Sequence, residues 1–250
     1  MKVLVAWEES QAGCKAFREL GHEAYSCDIQ ECSGGHPEWH IHGDVLKILN
    51  PYPIQVAKDD IRMGIEFYTN YGQKVHTIWG KWDMIIAFPP CTDLAVSGAR
   101  YFEKKRNDGR QRKSIEFFCQ FLNADCDKIV IENPVNIISG DYVKKWYPEL
   151  AEKYNLPRKP TQTVHPWMFG HPESKKTCLW EYGVQPLVPT DILQRPNCGY
   201  WENQTTDGQN KLMVDGKWIA FNDPRTPLYR SKTYPGIAKA MAEQWGGLCE

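Results

Sequence analysis

The stretch Trp82-Asp83-Met84-Ile85-Ile86-Ala87-Phe88-Pro89-Pro90-Cys91-Thr92 constrains this chain more than any other. Its apolar run is too short for an ordinary helix, and two prolines, which have no N–H to donate, stop a strand ladder beyond Phe88. The stretch therefore reads as a buried strand that delivers one thiol, Cys91, to a rigid corner.

Other segments read as companions to that strand. Residues 2–6 (Lys-Val-Leu-Val-Ala) form a buried first strand, Ser10 is placed to cap a helix running to about Leu20, and Gly21 ends it. Residues 24–27 form a second strand ending on Asp28, which completes the strand–helix–strand unit of a parallel α/β fold. The first loop carries Glu8, Glu9 and Gln11 where Gly-x-Gly-x-x-Gly would cradle a pyrophosphate, so a cofactor without phosphates is favoured. Asp28 stands where acids of such folds bind ribose hydroxyls, although an aspartate there is equally a turn former. His40-Ile41-His42-Gly43-Asp44 is a third strand whose Asp44 either contacts an adenine edge or starts the next helix. Cys27, Cys32, His36, His40 and His42 crowd this region, but their spacing fits no usual zinc framework, and no metal is expected.

Residues 128–132 (Lys-Ile-Val-Ile-Glu) form a further parallel strand that closes on Glu132-Asn133-Pro134. Ligands of open α/β sheets bind beyond the carboxyl ends of the strands, so Cys91 and Glu132 should face one crevice. Between these strands, Ile54, Ile61, Ile65 and Phe67 predict a helix over 54–71, and Ile115, Phe118, Phe121 and Leu122 predict one over 112–123. Strands at 161–165 and 176–180 form an antiparallel edge hairpin. The Pro-, Asn-, Gln- and Gly-rich stretch beyond them has short strand signals at 211–214 and 217–221 about Gly216, and a last helix spans 235–245. The chain divides into a main unit, 1–180 and 226–250, and a small irregular lobe at 181–225.

Charge and composition narrow the setting. Net charge is −1, yet Lys104, Lys105, Arg106, Arg110, Arg112 and Lys113 face one acid, Asp108, in what reads as a flexible basic loop suited to phosphate. With 250 residues and 42% hydrophobic content the chain supports one substantial core. Nine cysteines, an odd number without framework spacing, fit reduced thiols. No run approaches the roughly 20 apolar residues of a membrane span, and acids arrive too early for a signal peptide, so a cytoplasmic protein is expected.

The ordered motifs resemble those of the DNA (cytosine-5-)methyltransferases, in the short form carried by bacteriophages and prophages. Pro89-Pro90-Cys91 matches the catalytic Pro-Cys loop, and Ile131-Glu132-Asn133 matches the Glu-Asn motif. Phe169-Gly170-His171-Pro172-Glu173-Ser174-Lys175-Lys176-Thr177 is similar to the segment in which a glutamine and two arginines steady loop and substrate, places held here by Glu173, Lys175 and Thr177. Tyr234-Pro235 resembles the motif that completes the cofactor pocket, and Ala6-Trp7-Glu8-Glu9-Ser10 stands for the family's Phe-x-Gly-x-Gly without its glycines.

The resemblance implies a Rossmann-like S-adenosylmethionine-dependent methyltransferase fold, a mostly parallel sheet with an antiparallel edge hairpin. Cys91 would be the nucleophile, Glu132 the group at cytosine nitrogen 3, Asn133 the loop holder, and Pro90 a restraint on the thiol. S-adenosylmethionine would contact Trp7, Glu8, Asp28, Asp44, Pro89 and Tyr234. Duplex DNA with a flipped cytosine would meet Lys104, Lys105, Arg106, Arg110, Arg112 and Lys175. The assembly expected is a monomer or weak dimer with no membrane partner. A free cytosine nucleotide or RNA as substrate remains an alternative because net charge is near zero and the lobe is small, and an inert DNA- or nucleotide-binding relative remains one because the first motif and the 173–177 segment depart from the family's pattern.

Overall fold

The apolar runs around Val3–Val5, Met84–Ala87 and Ile129–Ile131 become neighbouring central strands, each buried along almost its whole length. The structure, a computed structural model, describes residues 1–72, 74–194, 211–214, 216–220, 223–231 and 233–247. In chain order, β1 (Lys2–Ala6), α1 (Ala12–Glu19), β2 (Glu23–Asp28) and β3 (His40–His42) are followed by β4 (Tyr52–Ala57), β5 (Asp60–Tyr68), β6 (Val75–Trp79) and β7 (Met84–Ala87). Helices α2 (Phe102–Asn107) and α3 (Arg110–Leu122) lead to β8 (Ile129–Asn133). After α4 (Tyr142–Trp146) and α5 (Pro148–Lys153) come β9 (Gln162–Val164), β10 (Thr177–Tyr182), β11 (Lys211–Val214), β12 (Lys217–Ala220), α6 (Thr226–Ser231) and α7 (Pro235–Met241).

The main sheet has the order β3-β2-β1-β7-β8-β10-β9. Strands β3, β2, β1, β7 and β8 are parallel, while β10 runs antiparallel to both β8 and β9. This is the expected Rossmann-like α/β arrangement with an antiparallel edge. Strand order reverses between β1 and β7, so their carboxyl ends form the crevice in which such folds bind ligands. One face packs Val5, Phe17, Met84, Ile237, Met241 and Trp245 around α1 and α7; the other packs Ile85, Ile131, Phe118 and Trp180 with Phe67 and Trp82. Trp82 is fully buried and donates its indole N–H to the Ile48 carbonyl at 2.7 Å, which fixes the entry to β7.

Residues 54–71 depart from the expected helix. They belong to a separate antiparallel sheet, β4-β5-β6. The intervals from Ile54 to Ile61 to Ile65 mimic helical spacing, but Ile65 and Phe67 are both buried with exposed Glu66 between them, the alternation of a strand. Gly64 admits Ile54 Cδ1 and Trp79 over its backbone, where a Cβ would lie 2.8 Å from the isoleucine. The hairpin about Gly216, φ 74°, forms as expected, whereas residues 195–210 of the small lobe and the end of its second strand signal at Phe221 lie outside the described residues. Among the described residues no helix is long and apolar enough to cross a membrane.

The cap of α1 is also not the expected one. Ser10 makes no side-chain cap; Glu8, buried, turns back so that Oε1 accepts from Gly13 N at 2.6 Å and Oε2 from Cys14 N at 3.0 Å. Burial pushes the Glu8 carboxyl up to about 7, with the two amides and Lys15 opposing that rise. The folded state therefore holds this proton to higher pH than the unfolded state does. Its contribution is greatest below the ordinary value of 4.5 and is lost as pH rises through about 7. Glu8→Gln should remove this loss, of order 3 kcal/mol, and urea unfolding of both proteins at the two ends of that pH window would measure it.

Candidate functional site

Cys91 and Glu132 are brought together by the register of adjacent strands. Ala87 of β7 pairs with Ile131 of β8, so Pro89-Pro90-Cys91 leaves the sheet at its carboxyl edge beside the strand that ends on Glu132 and Asn133. Asn133 is buried and donates Nδ2–H to the Pro89 carbonyl at 2.7 Å, while its Oδ1 accepts from Asn136 Nδ2 at 3.0 Å. The Asn136 Oδ1 in turn accepts from Ile138 N at 3.0 Å. Pro89 is buried, Pro90 is exposed, and Cys91 is half-buried. Burial pushes the thiols of Cys14, Cys27 and Cys119 up to about 12, which leaves them poor nucleophiles.

Burial raises the Glu132 carboxyl above its ordinary value, against the nearby Lys175 ammonium and a hydrogen bond from the Thr177 hydroxyl. Lys175 also lies over the Tyr234 ring at 5.8 Å, and the Tyr234 hydroxyl donates to Glu173. His171 Nε2 accepts from Gly236 N at 2.9 Å, at the start of α7. The segment before β10 thus ties the returning C-terminal helix to Glu132. Thr177 and Asn136 were not among the expected site residues; the signal for Thr177 was its place in the Glu-Ser-Lys-Lys-Thr segment, and Asn136 had none.

The thiol loop is locked from below. Cys91 O accepts from Leu94 N at 3.0 Å and Ala95 N at 2.8 Å, and Ile137 N donates to Leu94 O at 3.1 Å. Lys105 is buried, donates to the Thr92 carbonyl and pairs with Asp93 at 3.4 Å. Gln111 Nε2 donates to Asp93 O at 3.2 Å, and Ser114 donates to Asp93 Oδ2 at 3.3 Å.

The expected flexible basic loop at 104–113 is instead α2 and α3, joined at Gly109 with φ 77°. Lys105 faces inward and is withdrawn from any phosphate. Arg110 pairs with Asp108 at 2.8 Å, Arg112 pairs with Glu149, and Arg106 bonds the Tyr142 hydroxyl and stacks on Trp146 at 3.9 Å. Lys104 and Lys113 are exposed. The run is good helix-forming sequence with one glycine break, and its cations find neighbours on α4 and α5.

The expected cofactor residues fall into two groups. Asp28 ends β2, buried, with Oδ1 accepting from Gln30 N at 2.9 Å; Asp44 follows β3, exposed, with Oδ1 accepting from Leu46 N at 3.0 Å. Burial raises the Asp28 carboxyl. The Gln30 side chain also bonds Asp28, and both carboxylates offer acceptor oxygens of the kind that the hydroxyls and amine of a phosphate-free nucleoside need. Glu8 does not fit, because both its oxygens are held by α1. Trp7 has φ 59° and packs edge-on against Phe117 at 5.5 Å between centroids. Gln11 has φ 58°, is buried, and bridges Ser26 Oγ at 3.2 Å to the His36 backbone. Both are left-handed at non-glycine positions of the β1–α1 loop.

No family model matches the chain, and no curated protein matches it. Among solved structures it is similar to a crystal structure of a protein assigned as a DNA modification methyltransferase encoded within a prophage (E. coli), with 13% sequence identity and a TM-score of 0.44. The match covers 77% of this chain and 51% of the other, so this chain spans about half the length of that neighbour.

Lys105→Met should strand the Asp93 carboxylate and cost about 3–5 kcal/mol. Pairing it with Asp93→Leu should restore part of the loss, as thermal melts of the single and double variants would measure.

Proposed function

We propose that this chain is a DNA (cytosine-5-)methyltransferase that forms a covalent adduct through Cys91. The observation that carries the reading is the Asn133–Pro89 hydrogen bond, which supports a thiol on a proline-restrained corner beside a half-buried carboxyl on the next parallel strand. Carbon 5 of cytosine is a weak nucleophile, and addition of a thiolate to carbon 6 makes it enamine-like. Cys91 forms the new carbon–sulfur bond, and the ring's double-bond electrons move toward nitrogen 3. Glu132, whose carboxyl burial holds toward its protonated form, gives nitrogen 3 its proton. Its other oxygen accepts from the exocyclic amine and so selects cytosine. Thr177 and Lys175 hold the resulting carboxylate in place.

S-adenosylmethionine supplies the electrophilic methyl group that carbon 5 takes. Asp28 and Asp44 would hold its ribose and adenine, and Pro89 and Tyr234 would complete the crevice. Once the carbon 5 proton leaves to a base, the carbon 5–carbon 6 double bond reforms, Cys91 departs as thiolate, and nitrogen 3 returns its proton to Glu132. Since the thiol approaches the ring face, a cytosine in duplex DNA must leave the stack, at a cost of a few kcal/mol.

Wild-type protein should bond covalently to 5-fluorocytosine DNA in the presence of cofactor, and Cys91→Ala should form no adduct. Labelled methyl groups offered in parallel to duplex DNA, RNA and deoxycytidine nucleotides should enter DNA; label in the nucleotides alone sinks the reading. A raised Glu132 carboxyl keeps its proton to higher pH, so the rate should fall as pH rises past its titration. Glu132→Gln should lose that alkaline limb and roughly 10²–10⁴ in rate.

A further inference from the structure

An open groove of about 730 Å³ begins where the thiol loop ends. Its walls continue directly from the site: Val96 N donates to Val135 O at 3.0 Å, Ala95 bridges Asn136, and Asn136 is the residue that bonds Asn133. Val96, Arg100, Arg106, Ile137, Tyr142 and Trp146 line it, with Glu103 and Asp141. Its apolar surface is unusually open to solvent, with Val96 46% and Trp146 44% exposed.

Cations meet aromatic rings in it and at its border, where Tyr101 and Lys145 adjoin the lining residues Arg100 and Trp146. The Arg106 guanidinium lies 3.9 Å from the Trp146 ring centre, Lys145 lies over the same ring at 5.1 Å, and Arg100 lies over Tyr101 at 4.7 Å. Glu103 and Asp141 balance the two arginines inside the groove, and Lys145, over the Trp146 ring, adds positive charge beside it. A polymer of phosphates and flat bases matches both halves of this pattern: bases stack on aromatic faces, and phosphates meet the cations. An acidic peptide matches only the charge.

We infer that this groove seats the nucleic-acid strand leading away from the target cytosine, with a neighbouring base stacked on the Arg106–Trp146 pair and a phosphate held by Arg100. The direction of the strand rests on the reading of Cys91 as a cytosine nucleophile; the groove's affinity does not. The basic residues at 104–113 thus contribute mainly through Arg106, and the partners that matter, Arg100 and Trp146, lie outside that run.

The test is binding of fluorescein-labelled single-stranded oligodeoxynucleotide to the full chain without cofactor, followed by anisotropy. Trp146→Leu should weaken binding roughly five- to hundredfold, and Arg100→Gln should lower the salt dependence by about one phosphate contact. Trp79→Leu, on the separate sheet, should leave affinity unchanged, and melting curves establish that each variant folds. Equal affinity in Trp146→Leu and Trp79→Leu overturns the inference, as does competition by polyglutamate as effective as by unlabelled oligonucleotide. Groove binding without any 5-fluorocytosine adduct would sink the methyl-transfer reading and leave the groove. Normal adduct formation with affinity unmoved in Trp146→Leu would do the reverse.

Discussion

The hydrogen bond from Asn133 to the Pro89 carbonyl decides how the carboxyl edge of the sheet is built. A proline carbonyl that has left the ladder has no strand partner, and leaving it buried without a donor costs about 1–3 kcal/mol. Asn133 answers that need from the next strand, and Asn136 satisfies Asn133 in turn. The chain beyond each strand is then committed: the 94–96 segment lies against 135–137 through backbone bonds, and the thiol between them has a defined position. Because Asn133 follows Glu132, the residue that clamps the loop also fixes the carboxyl.

The same edge contains an uncommon amount of buried polarity. Glu8 caps α1, Gln11 joins two loops, and Asp93 and Lys105 pair beneath the thiol. Buried ion pairs contribute little net stability relative to apolar packing, but removing one partner is costly. Their effect is to make one loop arrangement much better than its competitors. In the β1–α1 loop, left-handed conformations at Trp7 and Gln11 do the turning that glycines would do more cheaply. Side-chain bonds from Glu8 and Gln11 hold a backbone that propensity alone would not choose.

Central strands and the placement of Cys91 and Glu132 at one edge of the sheet were legible because a parallel strand buried on both faces must be a short apolar run, and because the chain leaves such strands at their carboxyl ends. The β4-β5-β6 sheet was not legible from isoleucine spacing: Ile54, Ile61 and Ile65 obey a helical interval while lying on two strands, and only the Ile65–Phe67 alternation distinguishes them. Ser10 looked like the better cap because the rule weighs the residue just before the helix, whereas Glu8 reaches back from farther away. The run at 104–113 was misread by counting charge without phase: Lys105 follows Phe102 by three residues and shares its buried face. Asp93, one residue beyond Thr92, was the visible partner for that lysine.

A thiol loop fixed by buried bonds changes what binding must accomplish. In a loop that closes on its substrate, part of the binding energy orders the protein. Here the loop is already connected to α2, α3 and the 135–137 segment, so on the proposed reading ordering falls to the incoming strand, which must give up stacking to expose a base. A rigid surface offset from the thiol is the economical place to recover that loss, since stacking on Trp146 replaces base stacking in kind. Groove and thiol share the Val96–Val135 and Ala95–Asn136 connections, so a strand held in one is held at a fixed distance from the other. If Cys91 reacts as proposed, the polar edge of the sheet positions the reacting atom and the substrate's path to it through the same set of bonds.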